Sequence, residues 1–97
     1  MFHKVQNVKP LSGYRLSVDF ISGENRVYDM NPLFGKWELF NSLREIEGLF
    51  QRVKVDNGGY GISWNDEIDL ACDELYFNGI SAKPSFTTTN PATSQPR

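Results

Sequence analysis

The clearest pattern in the chain is an alternation in which Tyr14, Leu16, Val18 and Phe20 are separated by the polar residues Arg15, Ser17 and Asp19. A period of two marks a strand with one buried face, so the polar set is expected to meet solvent. His3 to Leu11 reads as an opening strand ended at Pro10, because proline has no N–H for a ladder and sits at strand ends or edges. Ser12-Gly13 supplies a turn, Ser22-Gly23-Glu24-Asn25 a hairpin loop, and Arg26 to Met30 the return strand. Three antiparallel strands in sequence order follow. Asn31-Pro32 closes the segment, with Asn31 placed to cap a helix that the proline opens.

From Trp37 to Phe50 the period changes. Phe40, Leu43 and Ile46 recur at three-residue steps beside Leu39, with Leu49 and Phe50 after Gly48. This spacing predicts one amphipathic helix or two short ones, interrupted within about two residues of Gly48. Val53 and Val55 start a strand that stops at the turn Asp56-Asn57-Gly58-Gly59. Tyr60, Ile62 and Trp64 then alternate with Gly61 and Ser63, a half-buried strand with Trp64 inside. After the polar break Asn65-Asp66-Glu67, Ile68 and Leu70 resume the alternation around Asp69, and Ala71 to Gly79 looks helical. Asp73 and Glu74 fall in its first turn, at the favourable end of the dipole, and Gly79 sits where a left-handed residue ends a helix. The fold class is α+β: a small antiparallel sheet of sequential hairpins, about six strands in all, with one or two short helices in the middle and a short C-terminal helix. A single domain over residues 1–80 precedes residues 81–97, a Pro/Ser/Thr-rich run whose only large apolar residue is Phe86. That run is expected to be a flexible tail, the alternative being an edge strand over Ser85 to Thr89.

Composition narrows the functional classes. Ninety-seven residues with a formal net charge of −2 make one small core and no electrostatic footprint for nucleic acid. A single cysteine, Cys72, excludes an internal disulfide and a cysteine metal site and points to the cytosol. No apolar run resembles a secretion signal or a membrane span, so no membrane partner is expected. His3, the only histidine, has no partner indicated for base catalysis. Asp56, Asp66, Glu67, Asp69, Asp73 and Glu74 concentrate locally but do not follow the calcium-loop spacing. An alternative function, binding of a small ligand or divalent cation, would rest on the loop near Asp66 and Asp69. Gly58-Gly59-Tyr60-Gly61 leads into a strand rather than a helix, which suits a hairpin and not a phosphate cradle. With no nucleophile elbow and no paired carboxylates at a groove, no catalytic, cofactor-binding or metal residue is assigned, and the chain is expected not to be an enzyme. The aromatic side chains are the remaining signal. They are numerous for so short a chain, and Trp37, Tyr60, Tyr76 and Phe77 are the candidates for an interaction surface.

Several of these segments together resemble a known family. Val8-Lys9-Pro10-Leu11, Asp29-Met30-Asn31-Pro32-Leu33, Val53-Lys54-Val55-Asp56, Tyr60-Gly61-Ile62-Ser63-Trp64, Ile68-Asp69-Leu70-Ala71 and Asp73-Glu74-Leu75-Tyr76 look like the small bacterial domain-of-unknown-function family DUF2442. The resemblance spans almost everything before the tail. It implies an α+β domain with antiparallel sheet and no mechanism, since the family is defined without one. Some relatives carry a helix-turn-helix module after this domain, and some are encoded beside a toxin-like protein and are regarded as antitoxin-like. Here a polar run follows Gly79 in place of a DNA-reading helix pair, and Cys72 stands where the family tends to proline. The expected role is a non-enzymatic interaction domain, binding a protein partner, such as a small toxin-like protein, or a second copy of itself.

Overall fold

The computed structural model describes residues 2–81. Residues 82–97, with the expected tail and the alternative strand at Ser85 to Thr89, lie outside the described residues. Three strands, β1 (Val5–Leu11), β2 (Arg15–Phe20) and β3 (Asn25–Asp29), form consecutive antiparallel hairpins, as the alternation predicts. Leu16, Val18 and Phe20 are fully buried on one face of β2. On the other face the Asn25 amide bridges Ser17 Oγ (3.0 Å) and Asp19 Oδ1 (2.6 Å). The register slips between Val5 and Asn7, leaving a bulge at Gln6, and Pro10 lies within β1 at the edge of the sheet.

Asn31 does not cap the helix that follows. Met30 takes the N-cap position of α1 (Asn31–Phe34), and the Asn31 side chain donates instead to the Gly13 carbonyl (2.8 Å) and to Asp29 Oδ1 (2.7 Å). It thereby ties the first hairpin turn, where Tyr14 holds a left-handed φ of 57°, to the β3–α1 junction. The middle stretch is a chain of short pieces rather than one amphipathic helix. A 3-10 turn (Glu38–Asn41) runs into a single α turn, α2 (Ser42–Glu45), and another 3-10 turn follows at Phe50–Arg52. Phe40 and Leu43 are buried as expected, but the backbone turns extended at Ile46, two residues before Gly48, and swings that side chain out to 55% exposure.

The second sheet joins β4 (Lys54–Val55), β5 (Gly61–Ser63) and β6 (Asp69–Ala71) in that order, all antiparallel. The expected half-buried strand around Trp64 is covered on both faces: Gly61, Ile62, Ser63 and Trp64 are all buried, while Tyr60 stands outside. The indole N–H of Trp64 donates to the Phe50 carbonyl (3.0 Å), and its ring stacks 6.3 Å from that of Phe50. Gly58 and Gly59 do adopt positive φ, and a Cβ on Gly59 would lie 2.6 Å from the Val5 carbonyl, which brings this turn against β1.

The last helix, α3 (Cys72–Asn78), leads to β7 (Ile80–Ser81), a two-residue strand not foreseen in the sequence, which extends the first sheet to the order β1-β2-β3-β7. Gly79 is not left-handed; its φ and ψ of −83° and 157° are extended. A Cβ there would run into the Leu75 carbonyl and approach Arg26 Cβ to 3.1 Å, so this glycine serves a close approach of α3 to β3. Both sheets and the helical turns share one core, with Phe20, Met30, Leu43, Ile62, Ile68 and Leu75 among its most buried members. Among the described residues no helix is long and apolar enough to cross a membrane.

Candidate interaction surface

The acidic residues singled out in the sequence are dispersed by the fold. Asp56 accepts a hydrogen bond from Ser63 Oγ (2.6 Å), Asp73 Oδ1 from the His3 backbone N–H (3.0 Å), and Glu74 from the Tyr28 hydroxyl (2.7 Å). Asp66, Glu67 and Asp69 are exposed beside a turn held by Asn65 Oδ1, which accepts from the Glu67 and Ile68 N–H groups at 2.9 Å each. Among the described residues no group of three or more His, Cys, Asp or Glu is gathered as a metal would require. Asp73 and Glu74 lie in the first turn of α3 (Cys72–Asn78), as expected, and each also has a specific partner. The Glu74 contact, together with burial, raises the Tyr28 phenol well above its ordinary range, burial being the larger cause. Cys72 is buried at the start of α3, and burial chiefly, with the neighbouring Asp73 carboxylate, pushes its thiol up.

The aromatic residues, by contrast, converge. Tyr76 lies half-buried on α3 with the His3 ring stacked on it, centroids 3.6 Å apart and planes 3° from parallel. The Arg26 guanidinium sits 3.8 Å from the same centroid. Two groups this close cannot share one face without overlapping, so Tyr76 is sandwiched between imidazole and guanidinium. Phe20 and Phe77 meet it edge-on at 5.2 and 5.3 Å.

The sandwich is locked by polar contacts. Arg26 donates through Nη1 to the Tyr76 carbonyl and through Nε and Nη2 to Glu24 Oε2, both at 2.7 Å, while the Tyr76 hydroxyl donates to Glu24 Oε1 at 3.1 Å. The hydrogen bond from Arg26 is the main reason the Glu24 carboxyl is held below its ordinary range. Each member fixes the next, which makes a rigid base.

Exposed apolar side chains gather around the Phe2–Lys4 segment, whose His3 rests on that base. His3 meets Phe77 edge-on at 5.3 Å, and Phe77 is 66% exposed. Phe2, next to His3, meets Tyr60 edge-on at 5.3 Å, and Lys4 Nζ lies 5.0 Å from the Tyr60 centroid. Gly58 lies so close beneath Tyr60 that a Cβ there would come within 2.9 Å of the ring. Ile21, 59% exposed, closes the row on the hairpin side, where its N–H donates to the Lys4 carbonyl (2.9 Å).

Three of the four sequence candidates, Tyr60, Tyr76 and Phe77, therefore belong to one surface, with Tyr76 as its support rather than its face. Trp37 does not join them. It is 56% exposed at the start of the 3-10 turn Glu38–Asn41 and makes no ring contact with any described residue. Sequence reasoning missed Phe2, His3 and Ile21. Their signal was present as apolar and aromatic residues directly flanking the ends of β1 and β2.

A family model described as "Protein of unknown function (DUF2442)" matches residues 5–81, a span that begins with β1 and ends with β7. The segment Phe2–Lys4 lies outside that span. No curated protein and no solved structure matches the chain.

Proposed function

The chain belongs to the DUF2442 family of proteins of unknown function, and from that premise we propose that it is a non-enzymatic interaction domain that binds a protein partner through the Phe2–Tyr60–Phe77–Ile21 surface. A small toxin-like protein that it neutralises is the specific form of this reading, and it rests on the family resemblance. One observation carries the general reading: Phe2, Ile21, Tyr60 and Phe77, each about half exposed or more, gather around the Phe2–Lys4 segment, where Phe2 meets Tyr60, His3 meets Phe77 and the Lys4 carbonyl accepts from the Ile21 N–H. Single exposed hydrophobic residues are ordinary, but a group held together beforehand lowers the entropic cost of docking.

The test is affinity capture with the full chain as bait beside a Phe2→Ala/Phe77→Ala variant. A single protein retained in near-stoichiometric amount by the native chain and lost by the variant supports the reading. That protein's own activity, measured with and without this chain, then decides neutralisation. Equal capture by both baits refutes the assignment of the surface.

A further inference from the structure

The occupant of this surface can be narrowed by its shape and charge, an inference that rests on the interaction reading above. Beside the row lies a concavity of about 200 Å³ lined by Phe2, His3, Lys4, Phe20, Ile21 and Ser22. That is room for roughly six waters, or for one branched aliphatic side chain. No carboxylate lines it, and Lys4 is its one fixed charge. Among the described residues the only ion pair joins Arg26 to Glu24, so the Lys4 ammonium has an aromatic face but no anion. A ligand that carries a carboxylate beside its apolar group would match the one charged side chain among the residues of the concavity.

A second copy of the chain fits poorly. A two-fold contact centred on the concavity would set Lys4 against Lys4. We propose that the surface takes a short acidic peptide segment of a partner protein, one aliphatic side chain seated between Phe2 and Ile21 and a carboxylate on Lys4. Phe2 to Lys4 precede the family-matched span while Phe20 to Ser22 lie within it, so this preference is built in part by residues outside the span.

The experiment is selection of a displayed random library of peptides about 12 residues long on the immobilised full chain, followed by fluorescence anisotropy with the enriched peptides. Enriched sequences are expected to share Leu, Ile or Met with Asp or Glu three or four positions away. Ile21→Glu and Phe2→Ala should each weaken binding about tenfold or more. Lys4→Glu should weaken it roughly three- to tenfold at low salt, with the loss shrinking as salt rises. All three residues are exposed, and unchanged far-UV circular dichroism checks that the variants fold. Trp37→Ala should leave affinity unchanged.

Enriched peptides that are basic or uncharged, or that bind Lys4→Glu as well as native chain, overturn the acidic occupant. If Phe2→Ala and Phe77→Ala still abolish their binding, the interaction reading survives that failure. A dimer in light scattering that Ile21→Glu dissolves overturns it in favour of a second copy, and peptides indifferent to every change in the row overturn both readings.

Discussion

Replacing Trp64 by alanine separates a core residue from an interface residue more sharply than any other change in this chain. The indole is 5% exposed, stacks on Phe50 and holds the Phe50 carbonyl through its N–H at 3.0 Å. Removing a buried Trp costs about 3–5 kcal/mol through lost transfer energy and the cavity left behind. The orphaned Phe50 carbonyl adds about 1–3 kcal/mol unless water reaches it. A folded unit of this size has on the order of 4–12 kcal/mol to lose, so Trp64→Ala should be unfolded or nearly so at 37 °C. Trp64→Phe divides the two contributions, keeping a ring against Phe50 while deleting the donor, and should cost about 1–3 kcal/mol. Urea denaturation followed by far-UV circular dichroism measures both. Fluorescence offers a second check: Trp37 is 56% exposed, so Trp64→Phe should leave only red-shifted emission from the native state. If Trp64→Ala keeps the native urea midpoint and slope, the indole carries no share of the core, and the packing described for the second sheet is wrong.

Further outcomes follow from other contacts. Gly79→Ala forces a Cβ onto the Leu75 carbonyl and should cost about 1–3 kcal/mol, read as a fall in melting temperature of several degrees per kcal/mol. Because the Glu24 carboxyl is held below its ordinary range in the folded chain, its contribution is present above the usual carboxylate pKa and is lost as pH falls through the lowered value. Urea midpoints taken from pH 7 down to about pH 3 should therefore drop less for Glu24→Gln than for the native chain, and parallel curves would refute the Arg26 contact. The Cys72 thiol is buried and raised, so labelling by a thiol reagent near pH 8 should be slow and should accelerate with urea in step with unfolding. Since the unfolded thiol ionises first, stability should also decline as pH rises past the ordinary thiol value of 9.0, and Cys72→Ala should remove that part of the decline.

What the sequence made legible was whatever a local pattern decides. The β1–β2–β3 meander followed from alternation and turn chemistry alone, and Phe40 and Leu43 were rightly placed inside. The misreadings lie where distant contacts overrule the local signal. Ile46 has the spacing of a core position, yet the helical turn ends just before it. Asn31 has the chemistry of a cap, but a stronger demand came from the Gly13 carbonyl across the hairpin. Gly79 sits where a terminator belongs and is instead spent on the approach of α3 to Arg26. The two-residue strand β7 carries no periodicity at all and exists because β3 offers it an edge. Tyr60, Tyr76 and Phe77 are legible as aromatics of interest, but nothing local reveals that His3 stacks on a ring 73 positions further on.

That distance has a consequence for synthesis. The base of the surface joins His3 to Asp73 and Tyr76, residues made near the beginning and near the end of the described domain. While the chain is still emerging from the ribosome, Phe2 and His3 are out early, but the helix they rest on is not yet present. The apolar row is therefore completed only when nearly the whole domain has been released and closed. A partner that recognises the row would ignore nascent and half-folded copies, so docking itself would count only finished molecules.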